Sequence, residues 1–118
     1  MKKVTFGIFL ILSSFSFNIF AAGGGAVGTV HEVAAISNAN GWGTEYNGAF
    51  WVTVTGVTSA GACPVVNGLV RFMIPAEDEM LYVTALSAKL SGATIGIDWD
   101  DTILYANECR PRDVYVTQ

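Results

Sequence analysis

The chain has 118 residues, with six Lys and Arg against ten Asp and Glu and a formal net charge of −4. That length holds one small domain with a limited core. Without Lys2 and Lys3, four scattered cations face the ten acids, a net of −6, and they form no basic patch for phosphate backbones or anionic lipid.

Residues 1–22 read as a secretory signal. Lys2 and Lys3 make the basic end, residues 6–12 the apolar core, and Ala21 with Ala22 offer small residues for cleavage. That core is too short for a membrane span, and no later stretch reaches spanning length. The expectation is a translocated chain, periplasmic or secreted, with a single domain over 23–118 and no membrane insertion. In an oxidising compartment its two cysteines, Cys63 and Cys109, pair with each other.

Residues 23–25, all glycine, read as a flexible leader, and 27–36 as the first strand. The phase of this strand slips: Val27 and Thr29 share a face with Val33, while Val30 and Ile36 share the other. A slip in one long strand predicts a bulge or sharp bend, at His31 and Glu32. Residues 37–48 are turn-rich, with Asn40-Gly41 and Asn47-Gly48, and hold Trp42 and Tyr46. A second strand covers 50–55, with Phe50, Val52 and Val54 inward and Trp51, Thr53 and Thr55 outward. Residues 58–67 form a loop carrying Cys63. A third strand covers 69–74, with Val70, Phe72 and Ile74 inward and Leu69, Arg71 and Met73 outward.

The next stretch is the one helix. Pro75 suits a first turn, Glu77, Asp78 and Glu79 complement the positive end of the dipole, and Lys89 the negative end. Gly92 can take the left-handed conformation that stops a helix. Beyond it the period changes to two, with Ala93, Ile95, Ile97 and Trp99 on one side. Residues 100–111 read as a polar loop holding Cys109, and Val114 and Val116 mark a short last strand.

The order β-β-β-α-β-β predicts a mainly β chain: a five-stranded OB-like Greek-key barrel with one helix between strands three and four, plugging one end, and a Cys63–Cys109 disulfide. The periodicity also permits an open α+β sheet with the helix on its face. The bent first strand and the place of the helix favour the barrel.

One run carries a resemblance. Leu86, Ala88, Lys89, Ser91 and Gly92 close the helix before a strand, with Phe72 and Pro75 ahead of it, Cys63 earlier and Cys109 later. This pattern resembles small secreted bacterial OB-fold proteins, distantly similar to the B subunits of pentameric toxins of the subtilase cytotoxin type. The resemblance implies a ring-forming homo-oligomer, a pentamer, that binds cell-surface glycans. Those subunits use polar residues near the first strand and an Asp–Ser pair near the mature N-terminus. Here that region is Gly23-Gly24-Gly25-Ala26, so no glycan-contacting residue carries over.

Chemistry-bearing motifs are sparse. His31 is the one histidine, and no nucleophile-elbow pattern is present, so it reads as a structural or surface residue and the chain as a non-enzymatic binder. Glu32 beside it points to the opposite face of a regular strand. Asp98, Asp100 and Asp101 lack the spacing of a calcium loop and read as solvated acids, with no metal. No phosphate-cradling glycine motif and no other cofactor signal occurs.

The aromatic residues are the strongest lead. OB folds meet ligands on strands two and three and on the loops between strands one and two and strands four and five. That rule picks out Trp42, Tyr46, Trp51, Arg71 and Tyr105 as candidate binding residues. Indole and phenol rings can stack on the apolar face of a sugar while Arg bonds its hydroxyls. The competing reading buries these rings against loops or a neighbouring subunit. Leu69 and Met73, outward beside Arg71, favour a protein surface. The expected function is therefore glycan or protein binding, with a structural or inhibitor-like envelope protein as the alternative.

Overall fold

The computed structural model describes residues 23–117; the signal predicted over 1–22 lies outside them. One antiparallel sheet organises the chain. Its strands are β1 (Gly23–Ala35), β2 (Phe50–Val54), β3 (Val65–Val66), β4 (Leu69–Ile74), β5 (Thr94–Tyr105) and β6 (Glu108–Val116), in the order β3-β4-β2-β1-β5-β6. A single α-helix, α1 (Glu79–Ser91), lies between β4 and β5. Among the described residues no helix is long and apolar enough to cross a membrane.

Three expectations need correction. The glycines at 23–25 are not a leader: they pair with Asp98, Trp99 and Asp100 of β5. A side chain at Gly24 would collide with the indole of Trp99, so a bare backbone lets this pairing sit flush. Among the described residues there are six strands rather than five, because the loop over 58–67 ends in β3. Val65 and Val66 fold back on Val70 and Leu69 through Asn67 and Gly68, both with positive φ, the geometry a two-residue hairpin demands. The loop over 100–111 is mostly strand: β5 and β6 form a long hairpin turned at Ala106 and Asn107.

The hairpin is not regular. Its register shifts between Trp99 and Leu104, where β5 bulges. Asp100 braces the bulge by accepting from the Thr102 backbone N–H at 2.9 Å and its hydroxyl at 2.6 Å. Asp101 accepts from the Ala62 N–H at 3.0 Å, tying the bulge to the segment that carries Cys63. These acids do local structural work.

The bend in β1 lies where the phase slip put it. Residues 23–29 pair with β5, and residues from Val30 onward pair with β2, with a register shift between Val30 and Glu32. One strand thus serves both halves of the sheet. Lys89, near the end of α1, donates to the His31 backbone carbonyl at 2.8 Å and anchors the bend.

The sheet curls until β4 and β6 meet. Two bonds hold them. Arg71 of β4 pairs with Glu108 of β6, and Cys63, just before β3, is disulfide-bonded to Cys109 of β6. The enclosed core is built from the inward faces of the strands, with Val52, Phe72, Ile95 and Ile97 fully buried. Helix α1 presses Ala85 and Ala88 into it and stacks Tyr82 on Phe50, ring centroids 4.1 Å apart. The small alanines let the helix approach all five longer strands. A 3₁₀ turn, Ala76–Asp78, leads into α1, and Arg110 of β6 donates to Asp78 at 2.7 and 3.1 Å. Gly92 ends α1 in the left-handed conformation, φ 71°.

Candidate functional site

The outer face of β1, β2 and β4 carries two neighbouring cross-strand rows. Ala34, Trp51 and Met73 make one; Glu32, Thr53 and Arg71 make the other. Strict alternation along each strand aims these side chains away from the main core.

The segment 37–49 folds over the first row. Its brace is Asn40, whose amide donates to the Ser37 carbonyl at 2.8 Å and to Asn47 Oδ1 at 3.0 Å. Its oxygen accepts from the backbone N–H groups of Trp42, at 2.6 Å, and Gly43, at 3.2 Å. A side chain that satisfies four neighbours fixes the arc, and with it the direction of Trp42. A short 3₁₀ turn, Thr44–Tyr46, then turns the Tyr46 ring inward. The tip of the β5–β6 hairpin holds the segment from the other side. Tyr46 donates to the Ala106 carbonyl at 3.4 Å, and the Tyr105 hydroxyl donates to the Glu45 carbonyl. Beneath, Ile36, Ala49 and Met73 form a second small apolar cluster against Tyr46, Trp51 and Tyr105.

Four of the five sequence candidates meet on this surface. Trp42 stands 6.0 Å from Tyr46, edge to face, and 6.0 Å from Trp51, centroid to centroid. The Arg71 guanidinium lies 5.6 Å from the centre of the Trp51 ring. Trp42, Tyr46, Arg71 and Met73 line a hollow of about 320 Å³. A second hollow, about 210 Å³, shares Arg71 with the first and is lined also by Glu32, Trp51 and Thr53 among others. Trp42 remains 60% exposed and presents its indole to whatever enters.

Tyr105 is the fifth candidate, and it stands apart. It ends β5 rather than lying in a loop, and its hydroxyl is committed to Glu45. Burial, and then the negative charges of Glu77 and Glu45, raise its phenol above the ordinary tyrosine range. It supports the aromatic segment instead of facing either hollow.

Met73 also differs from expectation. It is 1% exposed, because segment 37–49 covers it, so it adds no apolar patch to the surface; Leu69 is half-buried in the wall of the second hollow.

Sequence reasoning missed the residues that position Arg71. Its Nε and Nη2 both donate to Glu108 Oε1, at 2.8 and 2.5 Å, and the Glu108 side chain is only 8% exposed. Glu108 Oε2 is buried without a partner among the described residues, as is Thr53 Oγ1. On a regular strand Glu32 faces away from His31. The bulge expected at these two residues brings both to the second hollow, and Glu32 Oε1 accepts from the Trp51 indole N–H at 2.5 Å. A strand slip in the sequence flags the bulge, but no local pattern pairs residue 71 with residue 108. Among the described residues no group of three or more His, Cys, Asp or Glu is placed to hold a metal ion.

Comparison with family models, with curated proteins and with solved structures found no match to this chain. They supply no link to toxin B subunits.

Proposed function

We propose that this protein is an OB-type barrel, exported from a bacterial cytoplasm, that binds glycans without turning them over. The barrel reading rests on the strand order, on β1 serving both halves of the sheet, and on β4 curling round to β6. In that architecture the helix that reaches every long strand closes one end, and the outer face of β2 and β4 is the usual ligand surface. A chain held by a buried disulfide suits an oxidising compartment outside the cytoplasm.

One observation carries the binding reading: Trp42, Tyr46, Trp51 and Arg71 converge on two adjoining hollows. A pyranose offers an apolar face of C–H groups and a rim of hydroxyls. Rings held by a braced segment receive the first at little entropic cost, and the remaining N–H groups of Arg71 and the Glu32 carboxylate bond the second. The test is a glycan array with the oxidised protein and with Trp51→Ala. Retention of a defined glycan set, lost by at least tenfold (about 1.4 kcal/mol) in the variant, is expected. An inert array would overturn the reading.

A second reading, an envelope protein that binds another protein, is favoured by α1. Its outer side shows Met80 at 71% and Leu90 at 80% exposure, with Val83 between them. The toxin-like ring, a homo-pentamer, draws on the same exposed stripe. Light scattering separates these: a single pentameric mass supports the ring, and a monomer that captures an envelope protein in a pull-down supports the second reading.

A further inference from the structure

We infer that the two hollows beside Arg71 form one groove for a neutral glycan of two sugar units, in which Arg71 acts as a hydroxyl donor and not as an anion receptor. The inference rests on the glycan reading above and goes further by fixing the charge and length of the ligand.

Arg71 is the shared wall. It lines both hollows, which measure about 320 and 210 Å³. The smaller falls short of the roughly 300–1,000 Å³ typical of ligand sites, while the two together lie well inside it. A ligand that fills the space must pass along Arg71 and the Trp51 ring beneath it.

The charge of Arg71 is already matched. Nε and Nη2 are spent on one oxygen of Glu108, whose carboxylate is almost wholly enclosed and so poorly screened by water. Of the five N–H donors of a guanidinium, three remain for a ligand, both on Nη1 and the second on Nη2. They can bond a hydroxyl, but an incoming carboxylate would meet Glu108 behind the guanidinium. It would also meet Glu32 across the second hollow, in the same cross-strand row as Thr53 and Arg71. Glu32 commits one oxygen to Trp51, leaving the other as an acceptor. A row that runs from acceptor to donor suits hydroxyls, each of which can donate and accept. A carboxylate accepts only, so it satisfies Arg71 and repels Glu32 and Glu108.

The test uses an array of neutral glycans printed beside the same glycans capped with a carboxylate-bearing sugar. The oxidised protein should retain the neutral set and bind each capped partner at least about tenfold more weakly. Glu32→Gln and Glu108→Gln should each narrow that gap severalfold. Glu32 is exposed, so its variant keeps the reading falsifiable should the buried Glu108→Gln protein fail to fold. In competition, a free neutral disaccharide from the retained set should inhibit about tenfold better than its terminal methyl monosaccharide. Capped glycans bound as well as their neutral partners overturn the charge argument, and equal inhibition by the monosaccharide overturns the two-unit groove. Retention of neither set removes the glycan reading itself, which is a separate outcome.

Discussion

Removing the disulfide is the sharpest perturbation of this fold. Cys63 and Cys109 are 46 residues apart in sequence, and Cys109 is fully buried where β6 comes round to meet β4. Closing a loop of that length takes about 13–14 cal/mol/K from the unfolded chain in the loop-entropy model, or about 4 kcal/mol at 25 °C. A domain of this size is expected to have roughly 5–14 kcal/mol of stability, at about 0.05–0.15 kcal/mol per residue. The bond is therefore a large share of the total. At about 4–8 °C per kcal/mol, its loss should lower the melting temperature by roughly 16–32 °C. The assay is a circular-dichroism melt at neutral pH of the oxidised protein, the reduced protein and the Cys63→Ala/Cys109→Ala double variant. The two altered forms should melt close together and far below the parent. A fall of less than about 5 °C would refute the claim that β6 depends on this tether, and show that the Arg71–Glu108 pair and the core hold the curl alone.

Three further outcomes follow from particular contacts. A Cβ at Gly96 would run into the outer end of the Tyr115 ring, so Gly96→Ala should lower the urea midpoint and Tyr115→Ala in that background should restore part of it; additive losses would refute the clash. The Asp100 carboxyl is held below the usual range by the Thr102 hydroxyl and N–H, so its stabilisation is present above about pH 4 and is lost as pH falls through its lowered pKa. Thr102→Val should move the acid transition to higher pH, and an NMR titration with Asp100 unchanged in the variant would count against it. The Tyr105 phenol is raised by burial, so its contribution is full below about pH 10 and declines as pH climbs through its raised pKa. Tyr105→Phe should remove a late component from the phenolate absorbance titration, and an unchanged curve would show that the ring is not enclosed by the Glu45 segment.

The sequence was readable where a residue acts through its immediate neighbours. The phase slip between Val27 and Ile36 located the bend in β1, and Gly92 located the end of α1, because each is a local demand on backbone geometry. The same logic was available for β3: Asn67-Gly68 between pairs of apolar residues is a strong hairpin signal, but the two-residue arm is too short to show alternation. The β5–β6 turn was harder. Ala106 takes a positive φ that alanine seldom adopts, so half of the usual turn signature is missing, and the bulge at 100–103 breaks the alternation. Trp42, Trp51 and Arg71 were legible because strand alternation and loop position put them on the surface where an OB fold meets its ligands. Glu108 was not, because its role depends on a closure between strands far apart in sequence, and nothing near residue 108 encodes the register of that closure.

That closure ties stability to the site. Glu108 and Cys109 are consecutive on β6, so their side chains leave opposite faces of the strand. One reaches outward to Arg71; the next reaches inward to Cys63. A slip of β6 by one residue would exchange the two faces and break both contacts together. The disulfide therefore fixes the register in which Glu108 can hold the guanidinium of Arg71, a residue that lines both hollows. In this arrangement the covalent bond preorganises a polar contact on the other side of the same strand. Reduced protein studied well below its own melting temperature should then keep the arc that sets Trp42, which Asn40 braces from within the segment, yet bind glycan more weakly, because Arg71 loses its hold on Glu108 and the hairpin tip its hold on Tyr46 and Glu45.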